Sequence, residues 1–242
     1  MSFGQSYIFM MLSIIIPVFN EEATILECLK RVKKAGLPKG CSKEIIVIND
    51  GSEDNSEFRI QNSERKGKIK NLKIVSYSKN RGKGYAIRHG LKKASGDYVL
   101  IQDADLEYDP NDYPKLLKPI LEKKAEVVYG SRFLGEHRNM FFWNMLANKF
   151  LSLLTNILYN STLSDMEVGY KVFPRKLFQL LCLKENRFGF EPEATAKILK
   201  KGIRIYEVPI SYTGREFKEG KKITWRDGIK AVFYLLKYRL LN

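Results

Sequence analysis

Two aspartates separated by one alanine, Asp103-Ala104-Asp105, lie just beyond the apolar run Tyr98-Val99-Leu100-Ile101. An apolar run of that length reads as a buried strand. Paired carboxylates at the C-terminal end of a strand can hold a divalent cation against a diphosphate. Hard cations such as Mg²⁺ and Mn²⁺ take oxygen ligands and often keep substrate phosphates in their coordination shell. Taken alone, the pair also fits an acidic turn before Pro110, with Glu107 and Asp109 adding to the local negative charge.

Other strand ends carry chemistry of the same kind. Ile14-Ile15-Ile16 leads into Pro17-Val18-Phe19-Asn20-Glu21-Glu22. Asn20 reads as a helix cap there, with Glu21 and Glu22 in the first turn and Gly36 past the end. Ile45-Ile46-Val47-Ile48 ends in Asn49-Asp50-Gly51-Ser52. Asp50 is placed either to accept hydrogen bonds from a base or ribose or to make a turn, for which Asp-Gly-Ser is well suited. Asn80-Arg81-Gly82-Lys83-Gly84 then combines close-approach glycines, two cations and a helix start. It lacks the Gly-Lys-Ser/Thr ending of a phosphate-binding P-loop. Gly130-Ser131-Arg132 offers a guanidinium for forked contact with phosphate oxygens. Asp165 and Glu167 precede an apolar segment, Glu191 and Glu193 open a helical pattern, and Arg215 lies in a basic, Gly-punctuated loop that continues to Lys222.

The elements that must position these groups follow from the apolar pattern. Strands are predicted at Leu12–Pro17, Glu44–Asn49, Leu72–Ser76, Tyr98–Gln102, Glu126–Gly130 and Ile203–Pro209. Further helices are predicted at Glu53–Arg65, Lys83–Ala94, Asn111–Glu122, Met140–Tyr159, Glu191–Lys201 and Thr224–Tyr238. Such alternation gives an α/β fold whose mostly parallel sheet is flanked by helices. Ligands bind such sheets beyond the carboxyl ends of the strands. Residues 1–10 read as an N-terminal extension, residues 11–223 as a catalytic domain, and 224–242 as a basic amphipathic helix.

Composition narrows the setting. The chain has 242 residues and a net charge of +15, from 42 Lys and Arg against 27 Asp and Glu. That excess points to an anionic partner, whether nucleic acid, nucleotide phosphates or an acidic membrane surface. The three cysteines, Cys28, Cys41 and Cys182, are odd in number and lack metal-site spacing, as expected of a reduced, cytoplasmic protein. The N-terminal apolar stretch lacks a charged leading region and is broken by Ser13 and Pro17, so it makes a poor signal peptide. No run approaches 18 uncharged apolar residues.

In order along the chain, IIIPVFNEE, VINDGSEDNS, NRGKGYAIRHG, GDYVLIQDADLEYDP, VYGSRF, SDMEVGYKVF and RFGFEPEATAKILKKGIRIYEVPISYTGRE resemble the inverting family-2 glycosyltransferases. The chain is most similar to those that make polyprenyl-phosphate sugars, of the dolichyl-phosphate mannose or glucose synthase kind. The resemblance implies an A-type glycosyltransferase fold with a Rossmann-like sheet, a UDP- or GDP-linked hexose as donor and Mg²⁺ or Mn²⁺ as cofactor. It implies that Pro17, Phe19 and Glu21 line the nucleoside pocket and that Asp50 meets the base, with Lys83 beside it. It further implies that Asp103 and Asp105 serve the metal and nucleotide-sugar, that Arg132 and Arg215 handle phosphates, and that Asp165 sits near sugar and acceptor. The segment before Gly169 departs from the Thr-Ser-Gly-Phe-Arg pattern of mannosyl members, which leaves the donor sugar open. No transmembrane hairpin follows, so attachment is expected to be peripheral, at the cytosolic membrane face, through the basic C-terminal helix.

The acceptor decides the chemistry expected. A lipid phosphate is already anionic and needs no strong base. A glycan or small-molecule hydroxyl would need one, with Asp165 or Glu191 as candidates. A non-catalytic module binding nucleic acid or membrane by charge alone would leave the acidic strand ends without a purpose, and no nucleic-acid partner is expected.

Overall fold

In the computed structural model, residues 9–65, 71–215 and 225–241 are described. They form β1 (Met10–Val18), α1 (Ile25–Lys34), β2 (Cys41–Asn49), α2 (Ser56–Arg65), β3 (Leu72–Ser76), α3 (Lys83–Lys93), β4 (Tyr98–Ile101) and a short 3₁₀ turn at Pro110–Asp112. After it come α4 (Tyr113–Leu121), β5 (Val127–Ser131), α5 (Phe142–Tyr159), β6 (Lys171–Pro174), α6 (Arg175–Leu180), α7 (Phe190–Lys200), β7 (Ile205–Pro209) and α8 (Trp225–Leu240). The expected N-terminal extension falls largely on residues 1–8, and much of the basic loop on 216–224, both outside the described residues.

The seven strands form one sheet in the order β3-β2-β1-β4-β6-β5-β7. Near-continuous apolar runs such as Ile14-Ile15-Ile16 and Ile45-Ile46-Val47-Ile48 are buried on both sides, as a parallel sheet covered by helices requires. Every neighbouring pair is parallel except those of β6, which runs antiparallel to both β4 and β5. β4 and β5 therefore still point the same way. The carboxyl ends of β1, β2, β4, β5 and β7 share one edge of the sheet. Because β6 is reversed, the loop that precedes it, with Asp165 and Glu167, arrives at that same edge.

β6 and α6 are the elements that periodicity misses. Four residues ending in Pro174, immediately followed by a six-residue helix, are too short to show a period. The structure also corrects the reading of Asn20. α1 starts at Ile25 with Thr24 before it, and Asn20 adopts a left-handed φ of 52°. Its side chain accepts from the Glu53 N–H at 2.8 Å, and Glu22 accepts from the Asn55 N–H at 2.9 Å. These residues tie the end of β1 to the loop after β2 instead of capping a helix.

A second apolar cluster lies beyond the main core. Leu151 and Tyr159 of α5, Met166, Ala196 of α7, and Ala231, Leu235 and Tyr238 of α8 pack together. The Tyr159 hydroxyl donates to the Leu235 carbonyl at 2.6 Å, and Lys237 pairs with Glu185 at 2.8 Å. One face of α8 is thus part of the body of the protein.

At the opposite edge of the sheet, Glu44 is buried and accepts from the Ser13 hydroxyl at 2.6 Å, the Ser95 N–H at 2.6 Å and Lys73 at 2.7 Å. Burial acts to raise its pKa, but Lys73 and the Ser13 and Ser95 donors outweigh it and hold the carboxyl at about 2, below its ordinary 4.5. A depressed folded value means that the stabilisation is complete above about pH 4.5 and is lost as pH falls toward 2. Glu44→Gln is therefore expected to lower the melting temperature by roughly 3–6 °C at neutral pH. The gap from wild type should close as scanning calorimetry is repeated toward pH 2.

Candidate active site

The acidic crevice is assembled from the ends of β1 and β4 and the segment after β7. Asp105, just past β4, lies 3.2 Å from the Arg215 guanidinium. The same guanidinium reaches Glu21 at 3.1 Å and lies 3.9 Å from Glu107. The Arg215 N–H also donates to Glu107 at 2.8 Å, so backbone and side chain both pin this segment over the crevice. Burial, followed by the charges of Asp103 and Glu107, pushes the Asp105 carboxyl up to about 7. This is a group that is costly to ionise without a nearby cation.

Lys83 bridges the other side. Standing at the start of α3, it contacts Asp103 at 2.8 Å and Glu191 at 2.9 Å. Burial opposes its charge, but these two carboxylates overcome that and raise its pKa well above the ordinary value. Lys83 thereby links the first turn of α7 to the Asp103-Ala104-Asp105 segment. Gly169 closes the space behind Asp103: a Cβ there would overlap the Asp103 carboxylate and crowd the Tyr108 ring.

Asp50 sits at the same edge in a different setting. Its buried carboxylate accepts from Asn80 Nδ2 at 3.0 Å, the Arg81 N–H at 3.0 Å and the Gly82 N–H at 2.6 Å. It pins the loop that launches α3. Gly51 beside it has φ 69°, and a Cβ there would strike the Lys79 backbone, so the turn chemistry of Asp-Gly-Ser is used in full. Pro17 and Phe19, at and just beyond the end of β1, are half-buried next to this loop's strand.

Arg132 and Asp165 form a unit of their own. The guanidinium donates through Nε and Nη2 to the two Asp165 oxygens, each at 2.7 Å, and the Arg132 N–H adds a bond at 3.0 Å. Asp165 is fully buried. Nη2 of Arg132 also reaches Asn148 of α5 at 3.3 Å. Glu207 of β7 holds the preceding turn by accepting from the Ser164 and Asp165 N–H groups at 2.8 and 3.1 Å.

Glu21, Asp103, Asp105, Arg215, Lys83 and Glu191 are thus brought into one connected network, with Asp50 and the Arg132–Asp165 pair on the same sheet edge. Glu107, Lys171 and Glu207 were not singled out as site residues. Glu107 is visible in the acidic run itself. Lys171 has no such signal: one lysine in Tyr170-Lys171-Val172-Phe173 looks solvent-facing, yet it is fully buried and donates to the Met166 and Val168 carbonyls at 2.8 and 2.6 Å. Among the described residues, no three His, Cys, Asp or Glu side chains converge closely enough to enclose a metal unaided. The donor set is nevertheless all hard carboxylate oxygen. That fits a cation which completes its shell from a bound diphosphate.

The sequence profile of "Glycosyl transferase family 2" matches residues 13–181. The chain belongs to glycosyl transferase family 2. Family relatives include the "Low-salt glycan biosynthesis hexosyltransferase Agl6" of Haloferax volcanii, 29% identical over 234 residues, covering 93% of this chain and 53% of the relative. They also include the "Dolichol-phosphate mannosyltransferase" of Pyrococcus furiosus, 28% identical over 239 residues, covering 96% of this chain and 64% of the relative. The chain therefore spans little more than half of the Haloferax protein. Among solved structures, glucosyl-3-phosphoglycerate synthase from Mycobacterium tuberculosis, in complex with Mn²⁺, UDP and glucosyl-3-phosphoglycerate, superimposes with a TM-score of 0.70. It is 22% identical, and the match covers 96% of this chain and 81% of that one. The fold is the A-type glycosyltransferase fold.

Within this family 2 domain the Arg132–Asp165 pair is a buried ion pair, and removing one partner strands the other. Asp165→Ala is expected to cost about 3–5 kcal/mol of stability. The double variant Arg132→Met/Asp165→Leu should recover most of that loss. Urea unfolding of the three proteins checks both; a single variant within about 1 kcal/mol of wild type would contradict the assignment.

Proposed function

We propose that this chain transfers a hexose, with inversion, from a nucleotide-diphosphate sugar to a polyprenyl phosphate at the cytosolic face of a membrane. The observation that carries the acceptor class is the state of Asp165. One of the two candidate bases, it is fully buried and bound at both oxygens by Arg132, while the other, Glu191, is engaged by Lys83. Both Asp165 oxygens already accept from the Arg132 guanidinium, so Asp165 is engaged in holding that side chain. A phosphate acceptor arrives already ionised and asks for no proton to be removed.

The donor end follows from the crevice. Asp105 and Asp103 are the residues to hold Mg²⁺ or Mn²⁺, which when bound offsets the charge that develops on the departing nucleoside diphosphate. Lys83 and Arg215 bring fixed positive charge to the same place. Glu21, Pro17, Phe19 and the loop anchored by Asp50 border the side on which the nucleoside is placed. Arg132, committed to Asp165, acts in this reading by shaping the acceptor side.

The flank of the molecule supports a lipid-borne acceptor. α5 reaches the site through Asn148, and its outward stripe exposes Phe142, Leu146, Phe150, Leu153 and Ile157. Beside it, α8 exposes Ile229, Phe233, Leu236 and Leu240, with Arg226, Lys230 and Arg239 exposed among them. Among the described residues no helix is long and apolar enough to cross a membrane. Apolar stripes edged by cations suit the surface of an anionic leaflet. The Pyrococcus furiosus relative, a dolichol-phosphate mannosyltransferase, agrees with such an acceptor.

Two experiments test this. Radiolabelled UDP-glucose and GDP-mannose, each with Mn²⁺, are offered polyprenyl phosphate, free glycans or small hydroxyl acceptors. Label is expected in the lipid phosphate alone, and Asp105→Asn should lower turnover by about 100-fold or more. Wild-type-like turnover in that variant would remove Asp105 from its role. In flotation, the chain should rise with vesicles containing acidic phospholipid at low salt. The double variant Phe150→Ser/Ile157→Ser should stay at the bottom while binding nucleotide as wild type does.

A further inference from the structure

Two carboxyl oxygens near the crevice lack any donor. Glu191 is 4% exposed; its Oε1 sits on Lys83 at 2.9 Å, while its Oε2 is shut off from solvent and accepts nothing. Oε1 of Glu167 is likewise out of contact with solvent and without a hydrogen bond. The two come from unrelated segments, the first turn of α7 and the loop before β6. The chain's own cations do not satisfy them. Lys171 spends its ammonium on the Met166 and Val168 carbonyls, and Arg132 spends its guanidinium on Asp165 and Asn148. Buried acceptors left in this state are costly unless something supplies donors.

Their position says what that would be. Lys83 joins Glu191 directly to Asp103, so the unfilled oxygen of Glu191 lies one side chain away from the carboxylates assigned to the diphosphate, and Glu167 is near enough to Glu191 for their charges to act on each other. In a nucleotide-sugar the ring is bonded to the terminal phosphate, so its hydroxyls fall within a few bonds of the diphosphate. Hydroxyl groups donate, and carboxylate oxygens accept. We infer that Glu167 and Glu191 together receive the hydroxyls of the donor hexose and set which hexose is accepted. The inference rests on the nucleotide-sugar reading and adds Glu167, which the sequence motifs left without a role. The electrostatics agree: burial, and after it the charge of Glu191, push the Glu167 carboxyl up to about 8. A carboxyl that keeps its proton can both donate to and accept from a hydroxyl, which suits a sugar better than a phosphate.

The test compares a nucleotide-sugar with its bare nucleotide. Titration calorimetry on the full chain with Mn²⁺ measures UDP-glucose against UDP, and GDP-mannose against GDP. Glu167→Ala is expected to weaken the nucleotide-sugar that wild type binds by about tenfold or more, while the matching nucleotide stays within about twofold. Glu167→Gln, which preserves volume, should show the same split to a smaller degree, and it carries the test if the alanine variant melts early. Equal losses for sugar and bare nucleotide, or no loss for either, would mean a purely structural carboxyl and overturn the inference. Wild type that binds bare nucleotide but neither nucleotide-sugar also overturns it, whereas wild type that binds none of the four ligands removes the donor reading itself and the inference with it.

Discussion

Like charges crowded into a half-buried crevice set the terms for the rest of this molecule. Glu21 comes from the end of β1, Asp103, Asp105 and Glu107 from the segment after β4, and Glu191 from α7; burial, then the charges of Asp103 and Glu107, raise the cost of ionising Asp105. The fold answers with two cations placed between them, Lys83 from the start of α3 and Arg215 from the segment after β7. Even so Asp105 stays hard to ionise, with a pKa near 7. The crevice is thus an acidic enclave in a chain whose net charge is +15. On the proposed reading this contrast is useful: the basic surface draws anionic partners toward an enclave whose carboxylates suit a divalent cation.

The reversed strand β6 is what lets so many groups meet. In a wholly parallel sheet the loop entering a strand opens at the amino edge, away from the ligand edge. Turning β6 around sends Asp165 and Glu167 to the carboxyl edge, between the ends of β4 and β5. Lys171, the first residue of that strand, anchors the loop by donating to the Met166 and Val168 carbonyls. Glu207 secures the turn before it from β7. Four residues of strand thus bring two more carboxylates to the carboxyl edge of the sheet.

The second apolar cluster gives α5 two duties. Its inner face, with Leu151 and Tyr159, joins α7 and α8. Asn148 touches Arg132, while Phe150 and Ile157 point outward. An event at the outer stripe is therefore one helix away from the Arg132–Asp165 pair. The amphipathic character of α5 and α8 accordingly has two causes. One face of each packs on the protein, and a further apolar stripe stays exposed.

The sequence alone determined the α/β alternation, the parallel strands with their buried isoleucines and valines, and the acidic pair after β4. These are local properties: a run of β-branched residues buried on both sides, or a carboxylate at a strand end, is written in neighbouring residues. It also marked Asp50, Lys83, Asp165, Glu191 and Arg215 as residues of interest. Which of them touch was decided by tertiary structure. Asp50 holds a loop 30 residues onward, Arg215 crosses 194 positions to Glu21, and Arg132 closes on Asp165 across 33. Charge pairing and burial depend on through-space distance and on the exclusion of water, and a linear pattern encodes neither. For the same reason Lys171 looked ordinary in the chain, and Glu167, visible there as a carboxylate before an apolar segment, gained a setting only once β6 was reversed.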